Sequence, residues 1–209
     1  MKTFTYPFPA GREGVFIRQI IDAIQAEKVF LFPTETVYGL GGSALSLRVA
    51  NKITRLKQRP GEKAFPILVS SYRMLESLTE NIPDAAKKLI NHYWPGPLTI
   101  LFNARRGLPA GTISREGKIA VRISSHPFLQ QLGAAGLSLP LIATSANISS
   151  RPAVKSWSEL DPKLKQEVDF AIDGGSCPPG KASTIVDATA LPLKIIRPGD
   201  IIPPKDLVP

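Results

Sequence analysis

Two pairs of polar side chains, far apart in the sequence, carry the chemistry that this chain could perform. Lys57 and Arg59 lie two residues apart before Pro60, in a stretch of six cations and one acid between Arg48 and Lys63. Because a residue before proline favours extended geometry, we predict an extended segment whose two side chains project together. The lysine ammonium group is a point charge and the arginine guanidinium group is a planar fork of N–H donors, and together they suit a phosphate group. The alternative is a solvated helix face whose last cations lie at the negative helix C-terminus.

The second pair, Ser145 and Asn147, follows an apolar run at residues 139–144. The run predicts a buried strand, and the two-residue spacing beyond it places both side chains on the same side. A hydroxyl and an amide can hydrogen-bond phosphate oxygens or the water ligands of a divalent ion. The same residue types are common in ordinary turns after strands, so the local pattern leaves both interpretations open.

A third candidate segment runs from residue 29 to residue 42. Four apolar residues at 29–32 predict a short buried strand, which Pro33 ends because proline has no N–H for the ladder. Small hydroxyl residues, the carboxylate Glu35 and glycines at positions 39, 41 and 42 follow. A backbone this open can approach a ligand closely and turn its N–H groups towards an anion. A hairpin or crossover turn is the alternative, and it would use the same glycines.

Two segments resemble nucleotide-binding motifs, and both are rejected. Residues 39–44 fit the dinucleotide pattern G-x-G-x-x-A, but six residues separate them from the preceding strand, so the required tight strand–turn–helix is missing. Residues 175–182 come within one residue of a P-loop. Pro178 and Pro179 would remove two N–H groups from such a loop, and Ala182 lacks the hydroxyl that holds magnesium. We therefore expect neither a dinucleotide cofactor nor a P-loop.

The composition favours a globular protein with anionic partners. The 209 residues suit one large domain, which we divide into an N-terminal extension at 1–14, a main domain at 15–200 and a C-terminal tail at 201–209. Lysine and arginine number 26 and aspartate and glutamate 17, which leaves a net charge of +9. Such an excess suits nucleotides or nucleic acid, although surface lysines also serve solubility alone.

The sequence argues against several other kinds of site. One cysteine, Cys177, excludes a disulfide framework and a cysteine zinc cluster, and two histidines are too few for a histidine metal site. No stretch approaches eighteen consecutive apolar residues, and the first fifteen residues lack the apolar core of a signal peptide. We therefore expect no zinc, no membrane insertion and a cytoplasmic location.

Apolar periodicity predicts an α/β protein. Helices are expected at 15–27, 46–56, 83–93 and from 127, and strands at 29–32, 65–70, 98–102, 119–123, 139–144, 168–172, 183–186 and 193–196. Helices and strands alternate in the first half of the chain, whereas strands dominate the second half. This order predicts an open, mixed sheet with flanking helices.

Taken together, the motifs resemble the threonylcarbamoyl-AMP synthase family of YrdC-like proteins. The resemblance rests on these segments in chain order: Pro-Thr-Glu-Thr-Val-Tyr-Gly-Leu-Gly at 33–41, Lys-Gln-Arg-Pro at 57–60, Trp-Pro-Gly-Pro-Leu-Thr at 94–99, Val-Arg-Ile at 121–123, His-Pro at 126–127, Thr-Ser-Ala-Asn at 144–147, Ser-Thr-Ile-Val-Asp at 183–187 and Ile-Arg-Pro-Gly at 196–199. It extends over residues 15–200, which would make them a YrdC-like catalytic domain.

The resemblance implies a fold and an activity. The family fold is a twisted, open α/β sheet around a large, basic concave surface. Its members are ATP-dependent, pyrophosphate-releasing nucleotidyltransferases that join L-threonine, bicarbonate or CO2 and ATP into threonylcarbamoyl-AMP. A tRNA-modifying transferase complex then moves the threonylcarbamoyl group to adenosine 37 of tRNA, the t6A modification. The expected partners therefore include that complex and tRNA or other double-stranded RNA.

By the same resemblance, nine residues are expected to form the site. The K-x-R and S-x-N signatures and their surroundings imply six contacts to ATP: Lys57, Arg59, Lys63, Ser145, Asn147 and Arg197. The implied Mg²⁺ is bound by the ATP phosphates and has no dedicated set of protein ligands. The four residues of the two signatures are also the implied catalytic set. The implied threonine ligands are Thr34, Arg122 and Ser183, and the Arg122 fork suits the carboxylate.

Two features are expected to depart from the family pattern. Ser70 and Ser71 stand where many members have a histidine, and the C-terminal domain of longer members is expected to be absent. The main alternative function is a double-stranded RNA- or tRNA-binding paralogue without this activity. A paralogue with another acyl acceptor is also open, whereas a carbamoyltransferase like the hydrogenase maturation factors would need a longer chain and zinc-binding cysteines.

Overall fold

The computed structural model describes residues 1–58, 64–149, 151–178 and 181–204. The helices in these segments are α1 (Glu13–Gln25), α2 (Leu47–Leu56), α3 (Tyr72–Leu78), α4 (Asp84–Tyr93), α5 (Pro127–Ala134) and α6 (Pro162–Glu167). The strands are β1 (Lys2–Thr5), β2 (Phe30–Phe32), β3 (Gly39–Ser43), β4 (Ile67–Leu68), β5 (Leu98–Asn103), β6 (Lys118–Arg122), β7 (Leu141–Ser145), β8 (Phe170–Asp173), β9 (Thr184–Asp187) and β10 (Lys194–Arg197). None of these helices has the length and apolar character needed to span a bilayer.

The ten strands in these segments form one open sheet, in the order β1-β8-β2-β3-β7-β4-β6-β5-β9-β10. Four neighbouring pairs run parallel and five run antiparallel. The predicted fold class, an open and mixed α/β sheet with flanking helices, is therefore confirmed.

Two apolar clusters cover the two faces of this sheet. In β2, Leu31 belongs to one cluster and Phe30 and Phe32 belong to the other, because successive side chains of a strand point to opposite faces. One face packs against α2, α3 and α4. The other face packs against α1 and α5, but its cluster includes no described residue of β5, β6 or β9. This second face is therefore open over those three strands.

Local sequence signals explain where the main helices lie. Helix α1 buries the four isoleucines whose spacing predicts it. Helix α2 begins after Ser46, whose side chain accepts a hydrogen bond from the backbone N–H of Val49 (3.2 Å), as expected of a helix cap. These contacts confirm both helices.

The glycine-rich segment differs from its prediction. Residues Gly39–Ser43 form the interior strand β3, although the glycines predict an open loop. A Cβ atom at Gly41 would lie 1.8 Å from the carbonyl oxygen of Ile142 in β7, so close strand contact requires this glycine. Strands β2 and β3 pair antiparallel, and residues 33–38 are the loop of a hairpin. The hairpin alternative is therefore correct as to the connection, but the glycines lie in its second strand and not in its turn.

The sequence patterns also miss two elements. Strand β1 lies within the expected N-terminal extension, but it pairs in parallel with β8 and belongs to the sheet. Helix α3 is too short to show the apolar periodicity of a helix. It begins after Ser71, whose side chain accepts a hydrogen bond from the backbone N–H of Met74 (3.1 Å). Ser70 Oγ donates to the carbonyl oxygen of Leu137 (3.3 Å). The two serines that depart from the family pattern thus have structural contacts of their own.

His126 begins α5 and makes the stability of the fold depend on pH. Its Nδ1 atom accepts a hydrogen bond from the backbone N–H of Phe128 (3.2 Å), which caps the helix. Burial lowers the pKa of this imidazole, and the charge of Glu35 opposes the shift without reversing it. The unfolded chain takes up the proton near about pH 6.5, so the free energy of unfolding should fall as the pH drops below that value.

We expect His126→Asn to reduce this loss of stability in acid, because asparagine keeps a cap acceptor and does not titrate. Urea unfolding at about pH 7.5 and about pH 5.5 measures the difference for the wild type and the variant. His92→Asn, at an exposed position of α4, is the matched control and should keep the wild-type difference. An undiminished acid loss in His126→Asn would contradict the role of His126.

Candidate active site

A cavity of about 960 Å³ lies over the open part of the sheet. Its floor consists of alternate residues of neighbouring strands, since side chains two residues apart point to the same face. In β6 these are Lys118, Ala120 and Arg122, and β5 and β9 contribute in the same way, whereas β7 contributes residues 143–145 in succession. The volume is at the upper end of the range for small-molecule sites, about 300–1,000 Å³. The cavity can therefore hold a ligand larger than a single amino acid.

Cations outnumber acids in the cavity lining. The cations that line it are Arg115, Lys118, Arg122, Arg151 and Arg197, and the acids are Glu116 and Asp187. Lys118 Nζ pairs with Asp187 at 2.7 Å, which neutralises both side chains. Arg122 and Arg151 also pair with acids outside the lining, Glu35 at 2.7 Å and Asp161 at 3.5 Å, so the positive excess is smaller than the lining alone indicates. Cations still outnumber acids in the lining, which suits an anionic ligand.

Lys57 joins the two predicted polar pairs. It is only 3% exposed, and its Nζ atom donates hydrogen bonds to the carbonyl oxygens of Ser145 (2.5 Å) and Asn147 (2.7 Å) and to Asn147 Oδ1 (3.3 Å). The backbone N–H of Ser149 donates in turn to the carbonyl oxygen of Lys57 (3.0 Å). One buried ammonium group thus holds the end of α2 against the segment that follows β7.

The position of Lys57 corrects one expectation, the extended segment at the end of α2. Lys57 is the C-cap of α2, with φ of −82° and ψ of −8°, and Gln58 has a φ of 49°, so this part of the chain is not extended. The restriction imposed by Pro60 acts on residue 59 alone. The Lys57 ammonium group faces protein oxygens and holds the Ser145 and Asn147 segment, and its expected contact with the ATP phosphates stays a prediction.

The other two cations of this cluster, Arg59 and Lys63, lie outside the described residues. Their expected contacts with ATP stay predictions.

Ser145 and Asn147 both line the cavity at the end of β7. Ser145 Oγ donates a hydrogen bond to Asn147 Oδ1, and Asn147 Nδ2 donates to the carbonyl oxygen of Arg151 (2.5 Å). The two side chains therefore fix each other beside the cavity. Within the described segments, no cluster of three or more His, Cys, Asp or Glu side chains could hold a metal ion, and magnesium held through phosphates stays a prediction.

Arg122 and Glu35 form a buried ion pair at the cavity. Arg122 Nη1 lies 2.7 Å from Glu35 Oε1, and only 9% and 13% of the two side chains are exposed. Ser124 Oγ donates to the second carboxylate oxygen of Glu35. Burial lowers the pKa of the Arg122 guanidinium, and the charge of Glu35 opposes that shift. Arg122 also lines the cavity, so a ligand that contacts Arg122 would lie close to the buried carboxylate of Glu35.

Glu35 is the residue of this site to which the sequence assigns no role. Its partner Arg122 is 87 residues away in the chain, so no local pattern connects the two. One signal was present in the sequence. A single carboxylate directly after a buried strand is rarely kept inside a protein without a partner.

Ser183 and Arg197 line the same cavity and contact each other. Arg197 Nη2 donates to the carbonyl oxygen of Ser183 (2.7 Å), and Ser183 Oγ lies 2.8 Å from Thr99 Oγ1. Burial lowers the pKa of the Arg197 guanidinium, and the positive charge of Arg122 lowers it further. Two guanidinium groups that repel each other in one cavity define a place where an anion is stabilised.

Thr34 is not among the residues that line the cavity, and its expected contact with threonine stays a prediction. Its hydroxyl donates to the carbonyl oxygen of Val37 (2.7 Å) and accepts from the backbone N–H groups of Thr36 and Val37 (3.1 Å each). Such closed hydroxyl turns are common for threonine in tight loops. Thr36 and Val37 line the cavity instead, and Thr34 shapes the loop that presents them.

Comparison with protein families identifies the group to which this architecture belongs. The family model Sua5_yciO_yrdC, which carries the description "Telomere recombination", matches residues 22–199. The chain belongs to this family. The cavity residues from Thr36 to Arg197 all lie within the matched range.

Curated relatives of this Sua5/YciO/YrdC member share one name. The threonylcarbamoyl-AMP synthase of Pyrococcus abyssi is 34% identical over 185 residues, which are 88% of this chain and 54% of that protein. Relatives of the same name from Bacillus subtilis and Stutzerimonas stutzeri are 33% and 29% identical, over 88% and 90% of this chain. The chain spans 54% of the Bacillus protein and 96% of the Stutzerimonas protein. It thus matches about half of the longer relatives and nearly all of the shorter one.

Solved structures agree with this family membership. The crystal structure of P. abyssi Sua5 complexed with L-threonine has a TM-score of 0.84 and 31% identity, and the match covers 95% of this chain and 57% of that chain. E. coli YciO has a TM-score of 0.81 over 95% of this chain and 94% of its own, but at 22% identity it supports the fold alone.

Proposed function

We propose that this member of the Sua5/YciO/YrdC family is an L-threonylcarbamoyladenylate synthase, an ATP-dependent nucleotidyltransferase that serves t6A modification of tRNA. The observation that carries the proposal is the single cavity lined by Arg122, Ser183, Arg197, Ser145 and Asn147. It combines two guanidinium groups with hydroxyl and amide groups in a space large enough for a nucleotide and an amino acid. The structural similarity to a relative solved with L-threonine supports the same substrate.

The proposed reaction forms a carbamate and then transfers an adenylyl group to it. The neutral amine of threonine attacks CO2 and loses a proton, or condenses with bicarbonate and loses water, and either route gives the carbamate. A carbamate oxygen attacks the α-phosphorus of ATP, the bond from that phosphorus to the bridging oxygen breaks, and pyrophosphate leaves. This chemistry needs no covalent protein intermediate. It depends on positioning and on charge stabilisation.

The cavity residues divide this work by their chemistry. Arg122 offers the N–H donors of its fork that Glu35 does not use to the carboxylate of threonine, and Ser183 binds the same substrate. Arg197 stabilises the negative charge that develops on the phosphates. Ser145 and Asn147 hydrogen-bond phosphate oxygens, with Lys57, Arg59 and Lys63 as further predicted contacts.

Magnesium fits this site as an ion that ATP carries in. The neutral oxygens of Ser145 and Asn147 suit an ion that keeps several waters and takes its other ligands from substrate phosphates. When bound, the ion supplies neutralisation of phosphate charge. The side chains of the cavity then have to orient the nucleotide and the amino acid.

Release of pyrophosphate that depends on threonine tests the proposal. The purified chain with ATP, magnesium and bicarbonate should release pyrophosphate when L-threonine is added. L-Serine lacks the methyl group and L-valine the hydroxyl group, and each should be at least about tenfold less effective. Removal of bicarbonate and CO2 should stop the reaction. Release that needs no amino acid, or no release with any of them, would overturn the assignment.

A second candidate, an RNA-binding paralogue without this activity, rests on the net charge of +9. Its signature would be an RNA affinity that falls steeply with salt, in a chain that consumes no ATP. Contact with tRNA, delivery to a transferase complex and the cytoplasmic location stay predictions of the synthase proposal.

A further inference from the structure

The carboxylate of Glu35 is held rigidly next to the cavity. It contacts Arg122 Nη1 at 2.7 Å through one oxygen and accepts from Ser124 Oγ through the other. Ser124 is fixed in turn, because its Oγ accepts from the backbone N–H of His126 (3.2 Å) and its carbonyl oxygen accepts from Gln130 Nε2 (2.5 Å). Glu35 is therefore anchored to the start of α5 and holds its charge in one place.

The charge of Glu35 also acts on groups other than Arg122. It raises the pKa of His126 against the lowering by burial, and it adds to the burial that raises the pKa of the Cys177 thiol. The lowered pKa of His126 and the raised pKa of Cys177 both favour the neutral form, so the cation in contact with Glu35 is Arg122. Charges a few ångströms apart in a protein are screened less than in bulk water, so the charge of Glu35 acts on a ligand bound to its partner Arg122.

We propose that Glu35 is a specificity-determining residue that makes the amino-acid site select a zwitterion. The inference rests on the proposed function, in which Arg122 binds the carboxylate of threonine. A ligand carboxylate on Arg122 is attracted by the guanidinium and repelled by Glu35. The amino group next to that carboxylate is attracted by Glu35 and offsets the repulsion. A hydroxy acid without an amino group experiences the repulsion alone and binds less well.

Binding of L-threonine and of 3-hydroxybutyrate, which is threonine without its amino group, tests this role. Ligand-dependent thermal stabilisation gives both dissociation constants, even for a less stable variant. In Glu35→Gln the ratio of the hydroxybutyrate constant to the threonine constant should fall at least about tenfold, because the neutral amide neither repels nor attracts. Glu35→Asp keeps the charge and should keep the wild-type ratio. If Glu35 had a purely structural role, Glu35→Gln would weaken the binding of both ligands by the same factor. An unchanged ratio of the two dissociation constants in Glu35→Gln would therefore overturn the proposal.

A matched control separates this effect from the general loss of a carboxylate. Asp169 pairs with Lys52 at 2.7 Å, is partly buried and does not line the cavity. Asp169→Asn should leave the ratio of the two constants unchanged, and an equal fall there would count against Glu35. Wild-type protein that binds neither ligand would refute the proposed function itself. Wild-type binding of threonine with no response to Glu35→Gln would refute this inference alone.

A second variant covers the case in which Glu35→Gln does not fold. Arg122→Gln leaves the charge of Glu35 in place and removes the attraction for carboxylates. L-Threonine methyl ester, which has the ammonium group but no carboxylate, should then bind at least about tenfold more tightly than 3-hydroxybutyrate. Equal binding of the two probes, or the reverse order, would overturn the role of Glu35.

Discussion

Replacement of Lys57 by methionine should lower the free energy of unfolding by about 3 kcal/mol and slow threonine-dependent pyrophosphate release at least about hundredfold. Methionine nearly fills the same volume but has no N–H donors. The carbonyl oxygens of Ser145 and Asn147 would then lose the Lys57 donor, whereas Asn147 Oδ1 would keep its hydrogen bond from Ser145 Oγ. Each buried acceptor left without a donor costs about 1–3 kcal/mol, and the cavity residues of this segment would move.

The two effects of Lys57→Met are separated by measuring urea unfolding and then kinetics at a temperature where the variant is folded. Because Ser145 and Asn147 belong to the proposed phosphate contacts, the KM for ATP should rise more than the KM for threonine. Lys52→Met is the control on the same helix, since Lys52 pairs with Asp169 and does not line the cavity. Lys52→Met should lower the free energy of unfolding by less than about 1 kcal/mol and leave the rate of pyrophosphate release unchanged. A folded Lys57→Met with normal turnover would refute the role of Lys57.

Lys57 also shows which part of the site the sequence can predict. The spacing of apolar residues places α2 and β7 correctly, and it identifies Lys57, Ser145 and Asn147 as residues at their ends. Whether a lysine at such an end points into a cavity or against a carbonyl is decided by residues far away in the chain. Here the contact joins positions 57 and 147, and no local propensity encodes that separation.

The hairpin of β2 and β3 illustrates a second limit. Glycines in a short segment predict an open loop, because glycine tolerates backbone conformations that other residues avoid. In this fold Gly41 is needed for a different reason, the close approach of Ile142 from the neighbouring strand. The sequence alone is compatible with both explanations of these glycines, an open loop and close contact between strands. Only the order of strands in the sheet distinguishes them. Strand order is also why β1 is missed, since its partner β8 lies more than 160 residues further on.

Charge pairs set a third limit. The sequence identifies Arg122 through its resemblance to a family motif, but Glu35 and Arg122 come together only because β6 and the hairpin loop meet at one side of the cavity. Their pairing changes how each can be tested. A variant that removes only one of the two charges leaves the other buried and unpaired, and that alone destabilises a protein by about 3–5 kcal/mol.

Simultaneous replacement in Arg122→Gln/Glu35→Gln should therefore keep most of the stability and strongly weaken threonine binding. The two amides can still hydrogen-bond where the charged groups now lie 2.7 Å apart, so no uncompensated charge stays buried. The loss of a buried guanidinium from a substrate carboxylate costs about 2–5 kcal/mol, and we expect a threonine affinity about 30- to 4,000-fold weaker. ATP binding without threonine should change much less, since Arg197, Ser145 and Asn147 remain.

Calorimetric titration of threonine and, separately, of ATP measures the two affinities, and urea unfolding shows whether the double variant is folded. Arg105→Gln is the control for the loss of an arginine, because Arg105 is exposed, lies outside the cavity and donates to the carbonyl oxygen of Thr79 (3.3 Å). It should bind both ligands like the wild type. If the folded double variant bound threonine as tightly as the wild type, the carboxylate site would have to lie elsewhere, and Arg197 would be the next residue to replace.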